Sequence, residues 1–477
     1  MPAPVPTRPD DHIAPPRGRR PLPLLTEPPA GRNLLKIPLL ARFLRSRWYP
    51  GIFQAPVAAV FGLVAYQLLA GPDTAHKNAG TALMWVLWWP LLPITFVVLG
   101  RFWCAVCPFG AISDFVQKWV GVNRPVPRFL KVYGIWIIDA QFLAITWSDH
   151  IWGIVESPWG SGVLLLLLTT GVIVSGALFQ RRTFCRYLCF LGGLCSNYAR
   201  SGIVELRADL DVCATCTARA ACFNGTDKLP GCPLFTFPRT MDTNANCSLC
   251  ANCIKACPND ALRLRVRKPL SELWFITKPK VEESFLALAI MGIVFIQNLT
   301  MLTVWEDVLV WIERTTGVTS YPLIFTVAFV VAVSIPVGML ALGSRVAARG
   351  SGESTLTNFA RFGYALIPLD IAAHLAHNLF HLLAEGSLVF STVAALFGVT
   401  TVGGSTALAD PGAILFLQLL VLALGVVGSV YTVRRIAYGR HRDAVRRRAT
   451  MAPYLVLLGI LTVMNTYLFL LPMAHRM

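Results

Sequence analysis

The stretch Asn246–Leu262, NCSLCANCIKACPNDAL, carries four cysteines as Cys247-x2-Cys250-x2-Cys253-x3-Cys257-Pro258. One short turn can present three thiolates at that spacing to a single inorganic cluster, and this run is a known 4Fe-4S ligand pattern. The proline ends the turn and brings no N–H that needs a partner. A looser group precedes it: Cys213-x2-Cys216-x5-Cys222-x9-Cys232-Pro233. In two-cluster segments the fourth cysteine of each run ligates the other cluster. That rule assigns Cys213, Cys216, Cys222 and Cys257 to one 4Fe-4S centre, and Cys247, Cys250, Cys253 and Cys232 to a second. Paired Cys-x2-Cys motifs also build structural zinc sites. The x2-x2 triplet, the Cys-Pro terminus and the second group favour iron–sulfur.

Two more cysteine pairs lie upstream, in GRFWCAVCPFGA (Gly100–Ala111) and QRRTFCRYLCFLGG (Gln180–Gly193). Each combines a basic residue, an aromatic, a cysteine pair and a glycine. Cys104, Cys107, Cys185 and Cys189 could together bind a further metal centre or cycle as disulfides; inert apolar packing is the alternative. Cys195 has no partner at motif spacing and reads as structural. Downstream, LDIAAHLAHNLFHLL (Leu369–Leu383) repeats histidine at helical intervals. At ~100° per residue, Asp370, His374, His377 and His381 share a face about 60° wide. Three chemistries suit them: axial ligation of a b-type haem, copper binding, or acceptance of protons from a quinol. A polar seam with no cofactor is the plain alternative. MAHRM (Met473–Met477) places His475 between methionines, as a second haem ligand or a soft copper site would. Asp139 is a lone carboxylate in an apolar run, suited to relaying protons or to bonding a neighbour such as Gln141.

The elements that position these groups are written in the composition. The chain has 477 residues, 55% hydrophobic and only 14% charged, and its mean hydropathy is +0.58. Such a balance fits a polytopic helical membrane protein. Apolar runs long enough to cross a core of ~30 Å begin at Ile52, Gly80, Leu130, Gly160, Ser284, Tyr321, Ala360, Gly412 and Ala452, predicting about nine spans. A net charge of +17 raises the question of nucleic acid. Its placement answers against that partner: 39 of the 42 Lys and Arg fall in segments that alternate crossing puts on one side. This is the positive-inside pattern of a bacterial cytoplasmic (inner) membrane protein, with the N-terminus cytoplasmic and the C-terminus outside. Leu388–Val402 is apolar too, but as a tenth span it would move the basic Arg434–Arg448 outside, so an interfacial or re-entrant piece is expected. Residues 1–50, rich in Pro and Arg, read as a disordered basic cytoplasmic tail. No apolar stretch directly follows Arg19–Arg20, which argues against a twin-arginine signal. All thirteen cysteines lie on the side assigned to the reducing cytoplasm, as metal ligation requires.

The expected organisation is therefore mainly α. A four-helix region (51–205) carries the repeated cysteine pairs. A two-cluster, ferredoxin-like α+β module (206–268) follows, and a five-helix region (269–477) carries the histidines. The stretch Ile52–Lys268 resembles a membrane polyferredoxin family. That family includes the membrane quinol-dehydrogenase component of periplasmic nitrate reductase, the membrane partner of nitrous-oxide reductase and a cytochrome oxidase accessory protein. The resemblance rests on the two-cluster segment and the repeated pairs, which in the family read Cys-x3-Cys-Pro. Here Cys104-x2-Cys107-Pro108 is one residue shorter, and Cys185-x3-Cys189-Phe190 lacks the proline. It implies an oxidoreductase component exchanging electrons among a quinol or cytoplasmic donor, the two clusters, an outer-face redox site and a redox partner protein. A copper-reducing assembly accessory, or a redox-sensing regulator without turnover, are the alternatives.

Overall fold

The computed structural model describes residues 31–218, 221–276, 278–399 and 406–472. Among them, nine helices are long and apolar enough to cross a membrane: Gly51–Ala70, Ala79–Val120, Arg128–Trp152, Pro158–Leu178, Val281–Thr300, Tyr321–Ser351, Thr355–Ala384, Pro411–Arg440 and Ala444–Leu470. They coincide with the nine apolar runs and are numbered here as the first to ninth spans. Leu167, Val327, Leu424, Val427 and Val463 point outward from them, which is the surface a bundle presents to lipid. The apolar run at Leu388 forms only the nine-residue helix Ser387–Ala395, too short to span; its last residues lie outside the described ones.

The fifth span is the pillar of the bundle, with 83% of its apolar window buried. Small residues let neighbours approach it closely. A Cβ on Gly292 would sit 2.5 Å from Val333 Cα of the sixth span, and one on Gly193 would sit 3.0 Å from Leu286 Cδ2 of the fifth.

The second span is not uniformly α-helical. Ala82–Trp88 is π-helical, and Trp89 donates its N–H to Met84 O, five residues back. Pro90 explains this widening: it has no N–H for an i→i−4 bond, and its ring would crowd the Val86 carbonyl. Such bulges mark functional positions in helices.

Between the fourth and fifth spans, strand β1 (Val204–Ala208) pairs antiparallel with β4 (Leu262–Val266), Leu206 facing Leu264. A two-residue ribbon, β2 (Gly225–Thr226) with β3 (Leu229–Pro230), and short helices Leu210–Ala214 and Asn252–Ala256 lie between them. The module core contains Leu206, Met241, Ile254, Leu262 and Leu264.

Residues 31–50 depart from the expected disordered tail. They include the helix Pro38–Arg45 and pack on the module. Asn33 bridges to Arg265, Arg45 Nη2 meets Asp260 Oδ1 at 2.7 Å, and Tyr49 Oη donates to Leu249 O at 2.6 Å. Composition hid this, because one apolar stripe of Phe43, Leu44 and Tyr49 suffices to anchor a short basic segment. Residues 1–30 lie outside the described ones.

Candidate functional site

The eight module cysteines resolve into two fourfold groups. Cys247, Cys250, Cys253 and Cys232 all lie within electrostatic reach of one another. Cys213, Cys216, Cys222 and Cys257 line one pocket with Phe237, Pro238 and Leu262. The groups adjoin where Cys253 comes within reach of Cys222.

The backbone around them is built for sulfur. Cys232-Pro233 and Cys257-Pro258 turn alike: three residues on, Phe235 and Asp260 adopt φ of +54° and +47°. The next N–H, of Thr236 or Ala261, then donates back to its cysteine Sγ at 3.3 Å. Leu249 and Ala251, flanking Cys250, are left-handed as well, at +57° and +62°. Non-glycine residues hold this conformation at roughly 1 kcal/mol or more each, and such outliers gather at functional sites. Burial pushes the Cys247 and Cys222 thiols up to about 12. Such thiols ionise readily only beside a compensating cation, which the iron of a cluster supplies. No three His, Cys, Asp or Glu among the described residues close around a single metal ion. The N–H···S turns at Cys232 and Cys257 suit ligand sulfurs of an iron–sulfur core.

Directly beneath lie the membrane cysteine pairs. Cys104, Cys107, Cys185 and Cys189 are all within electrostatic reach of one another. Cys195, expected to be structural, is fully buried beside Cys104. Arg101, 2% exposed, ties the layers together. It donates to Cys104 Sγ at 3.2 Å, Cys185 O at 3.1 Å, Ala245 O at 2.9 Å and Asn246 Oδ1 at 3.3 Å. Arg186 donates to the same Asn246 oxygen. Of the neighbouring arginines in the second motif, Arg181 reaches Cys232 O at 3.1 Å and Arg182 reaches Cys104 O at 2.7 Å. The module is also clamped electrostatically. Burial opposes ionisation of Glu272, but Arg267, Arg207 and Arg200 hold its carboxyl below the usual carboxylate range. Arg267 Nη1 meets it at 2.6 Å and Arg207 Nη2 at 3.2 Å.

Cys107 also faces a cavity of about 670 Å³ inside the bundle. The π-helical Leu83–Trp88, Trp89 and Trp103 form much of its wall, and Asp149, His150, His377, His381 and Glu385 gather around its polar part. Two buried indole donors in that wall, Trp88 Nε1 and Trp103 Nε1, meet no acceptor among the described residues. Volume and lining suit an amphiphilic ligand with a polar headgroup.

The histidine helix does not act as one face. His377 and His381 reach the cavity, their rings 5.2 Å apart, with Asn298 Oδ1 2.8 Å from His377 Nδ1 and Glu385 Oε2 3.5 Å from His381 Nδ1. His374 instead faces Tyr198, whose Oη lies 3.0 Å from its Nδ1, and its ring packs edge-on to Trp89. Asp370 is fully buried on the side of Tyr198. A face 60° wide still divides when two neighbours press on it from different sides. His475 lies outside the described residues. Asp139 is buried without a hydrogen-bond partner among them; the expected partner Gln141 accepts instead from Phe190 N–H at 3.1 Å. Sequence reasoning missed Tyr198, Asn298, Asn246 and the π-helical wall. Pro90 and Pro93 were the available signal for the wall, and the position of Asn246 beside Cys247 the signal for the bridge.

The groups described make the chain an iron–sulfur protein of the ferredoxin type, built onto a bundle of apolar helices. A family model described as a 4Fe-4S binding domain matches residues 81–127 and 162–204. Both stretches are the repeated cysteine-pair hairpins, and neither is the module. An uncharacterized protein of Methanocaldococcus jannaschii is 25% identical over 176 residues, covering 35% of this chain and 64% of that protein. This chain thus spans just under two thirds of that relative's length. No solved structure matches.

Proposed function

We propose that the protein is a membrane-integral electron carrier that exchanges electrons between a quinol in the bundle cavity and two 4Fe-4S clusters in the module. Cys213, Cys216, Cys222 and Cys257 would hold one cluster; Cys247, Cys250, Cys253 and Cys232 the other. When bound, such clusters supply reversible one-electron chemistry. The chain's residues supply placement, charge compensation and proton handling.

The observation that carries this reading is the continuity from cavity to module. Cys107 lines the cavity, Arg101 joins Cys104 to Asn246, and Asn246 adjoins Cys247. A quinol loses two electrons and two protons on oxidation, so its site needs bases near the headgroup. His381 with Glu385, and His150 with Asp149, provide them at the cavity wall. The placement of 39 of 42 basic residues supports a module facing the cytoplasm of a bacterial inner membrane, where a redox partner protein would dock. The copper-reducing alternative called on the histidine face, from which His374 turns away to Tyr198.

The test is anaerobic purification of the full chain followed by reaction with a soluble quinol analogue. Cluster bleaching that is stoichiometric with quinol oxidised, and absent in Cys250→Ser, is expected. Intact clusters that no quinol reduces would refute the quinol assignment, and zinc without sulfide would refute the cluster assignment.

A further inference from the structure

We propose that His374, Tyr198 and Asp370 form a proton relay inside the bundle, through which Asp370 takes up one proton when the protein is reduced. The inference rests on the electron-carrier reading, but not on which donor supplies the electrons.

The relay groups are sealed from solvent and placed in series. Asp370 and Tyr198 are fully buried, and His374 is 4% exposed. The Tyr198 hydroxyl lies 3.0 Å from His374 Nδ1 and within electrostatic reach of the Asp370 carboxyl. Neither oxygen of Asp370 meets a hydrogen-bond partner among the described residues. A carboxyl inside a membrane bundle is costly, and an unsatisfied one beside a hydroxyl calls for a reason. A permanently protonated acid in an inert polar seam would engage that hydroxyl, which here is held by the imidazole instead.

The other elements packed on this helix bring uncharged groups to it. From the eighth span, Ser429 Oγ accepts from Leu369 N–H at 3.0 Å, and Gln418 donates to Ala376 O at 3.0 Å. The fifth span offers Asn298 at His377, and the second offers Trp89 at His374. Among the described residues, Tyr198 is therefore the one ionisable neighbour of Asp370.

The relay also touches both ends of the electron path. His374 is one helical turn from His377 and Asn378, which line the cavity, and Trp89 of the cavity wall packs against its ring. Tyr198 ends the helix Phe190–Tyr198. The carbonyls of the next two residues, Ala199 and Arg200, accept from Arg267 at 2.8 and 3.1 Å, and Arg267 holds Glu272 at the module. Electrons collected in the module add negative charge there, which a proton entering the bundle offsets.

The step balances. With Nδ1 protonated, His374 donates to Tyr198 Oη. A proton arriving at Nε2 sends the Nδ1 proton to Tyr198 and the phenol proton to the Asp370 carboxylate. One proton is taken up, and His374 and Tyr198 are left neutral. A quinol donor gives up two electrons and two protons: the electrons reduce the two clusters, one proton ends on Asp370 and the other on His381 with Glu385. The Asp370 carboxyl must turn to Tyr198 for the last transfer, and that unmade contact keeps the relay from conducting at rest.

The experiment is infrared difference spectroscopy, oxidised against reduced, on the full-length protein in lipid nanodiscs, reduced electrochemically with no quinol present. A carboxylic-acid C=O band should appear on reduction, shift to lower frequency in deuterium oxide and vanish in Asp370→Asn. Asp139→Asn removes another buried carboxyl without a partner among the described residues and should leave the band in place. In Tyr198→Phe the band should form about 100-fold more slowly than in the wild type, which a merely structural tyrosine would not require. If Asp370→Asn does not fold, Asp370→Glu should move the band. Reduced clusters with no new carboxyl band, or a band that the Asp370 variants leave unchanged, would overturn the proposal. A band formed electrochemically in a protein that no quinol reduces would uphold the relay and refute the quinol assignment. Quinol-reduced clusters without the band would do the reverse, and a chain with no reducible cluster would overturn relay and carrier together.

Discussion

Cys232 and Cys257 show how much a single residue reports. Each is followed by proline, a left-handed residue three positions on, and an N–H that returns to its own sulfur at 3.3 Å. Equal turns imply equal roles, as the remote fourth ligands of opposite clusters. Cys257→Ser should therefore abolish the cluster of Cys213, Cys216 and Cys222 and spare that of Cys247, Cys250 and Cys253; loss of the latter in its EPR spectrum would reverse the assignment. Glu272 is the corresponding residue for attachment. Because Arg267, Arg207 and Arg200 hold its folded-state pKa below the unfolded value, its stabilisation is complete above the unfolded carboxylate range. It is lost as pH falls through the lowered value. Glu272→Gln leaves buried guanidinium groups unpaired and should cost about 3 kcal/mol or more, read as a lower unfolding midpoint at neutral pH that converges with the wild type in acid. The two groups of four module cysteines were legible from spacing alone. Cys195 was not, because its link to Cys104 is made by packing between segments ninety-one residues apart.

At the scale of elements, the spans were legible because a bilayer-length apolar run is a long and nearly unambiguous signal. Their internal irregularity was not. ALMWVLWWPLLP reads as one more apolar helix, yet Pro90 turns Ala82–Trp88 into a π-helical wall that opens the cavity. Pro90→Ala is expected to restore i→i−4 bonding there, narrow the cavity and reduce quinol oxidation, with iron content unchanged; unaltered kinetics would detach the bulge from function. Helical periodicity likewise placed four polar groups on one face of Leu369–Leu383. It could not say that Tyr198 takes one histidine and Asn298 another. The helix Pro38–Arg45 was invisible for a related reason: eight residues carry too few periods to outweigh a Pro- and Arg-rich setting.

For the whole molecule, the order of parts is what matters: a cavity reaching His381 and Glu385, a layer of thiols and arginines, then the module. His381→Ala should lower quinol oxidation by about 100-fold and leave the cluster spectra intact. An unchanged rate would move the proton acceptor to His150 and Asp149. The order of parts was only half legible. Sequence placed the cysteines on one side through the distribution of basic residues, but the cavity is assembled from the first seven spans, and no local pattern encodes such an enclosure. Electron transfer through this molecule depends first on the paired module clusters. Low-temperature EPR of the dithionite-reduced full-length protein is the measurement that tests them. The expected result is a broadened spectrum from two adjacent, magnetically interacting 4Fe-4S centres, which sharpens to that of one centre in Cys250→Ser. A reduced sample with no iron–sulfur signal and no acid-labile sulfide would contradict it.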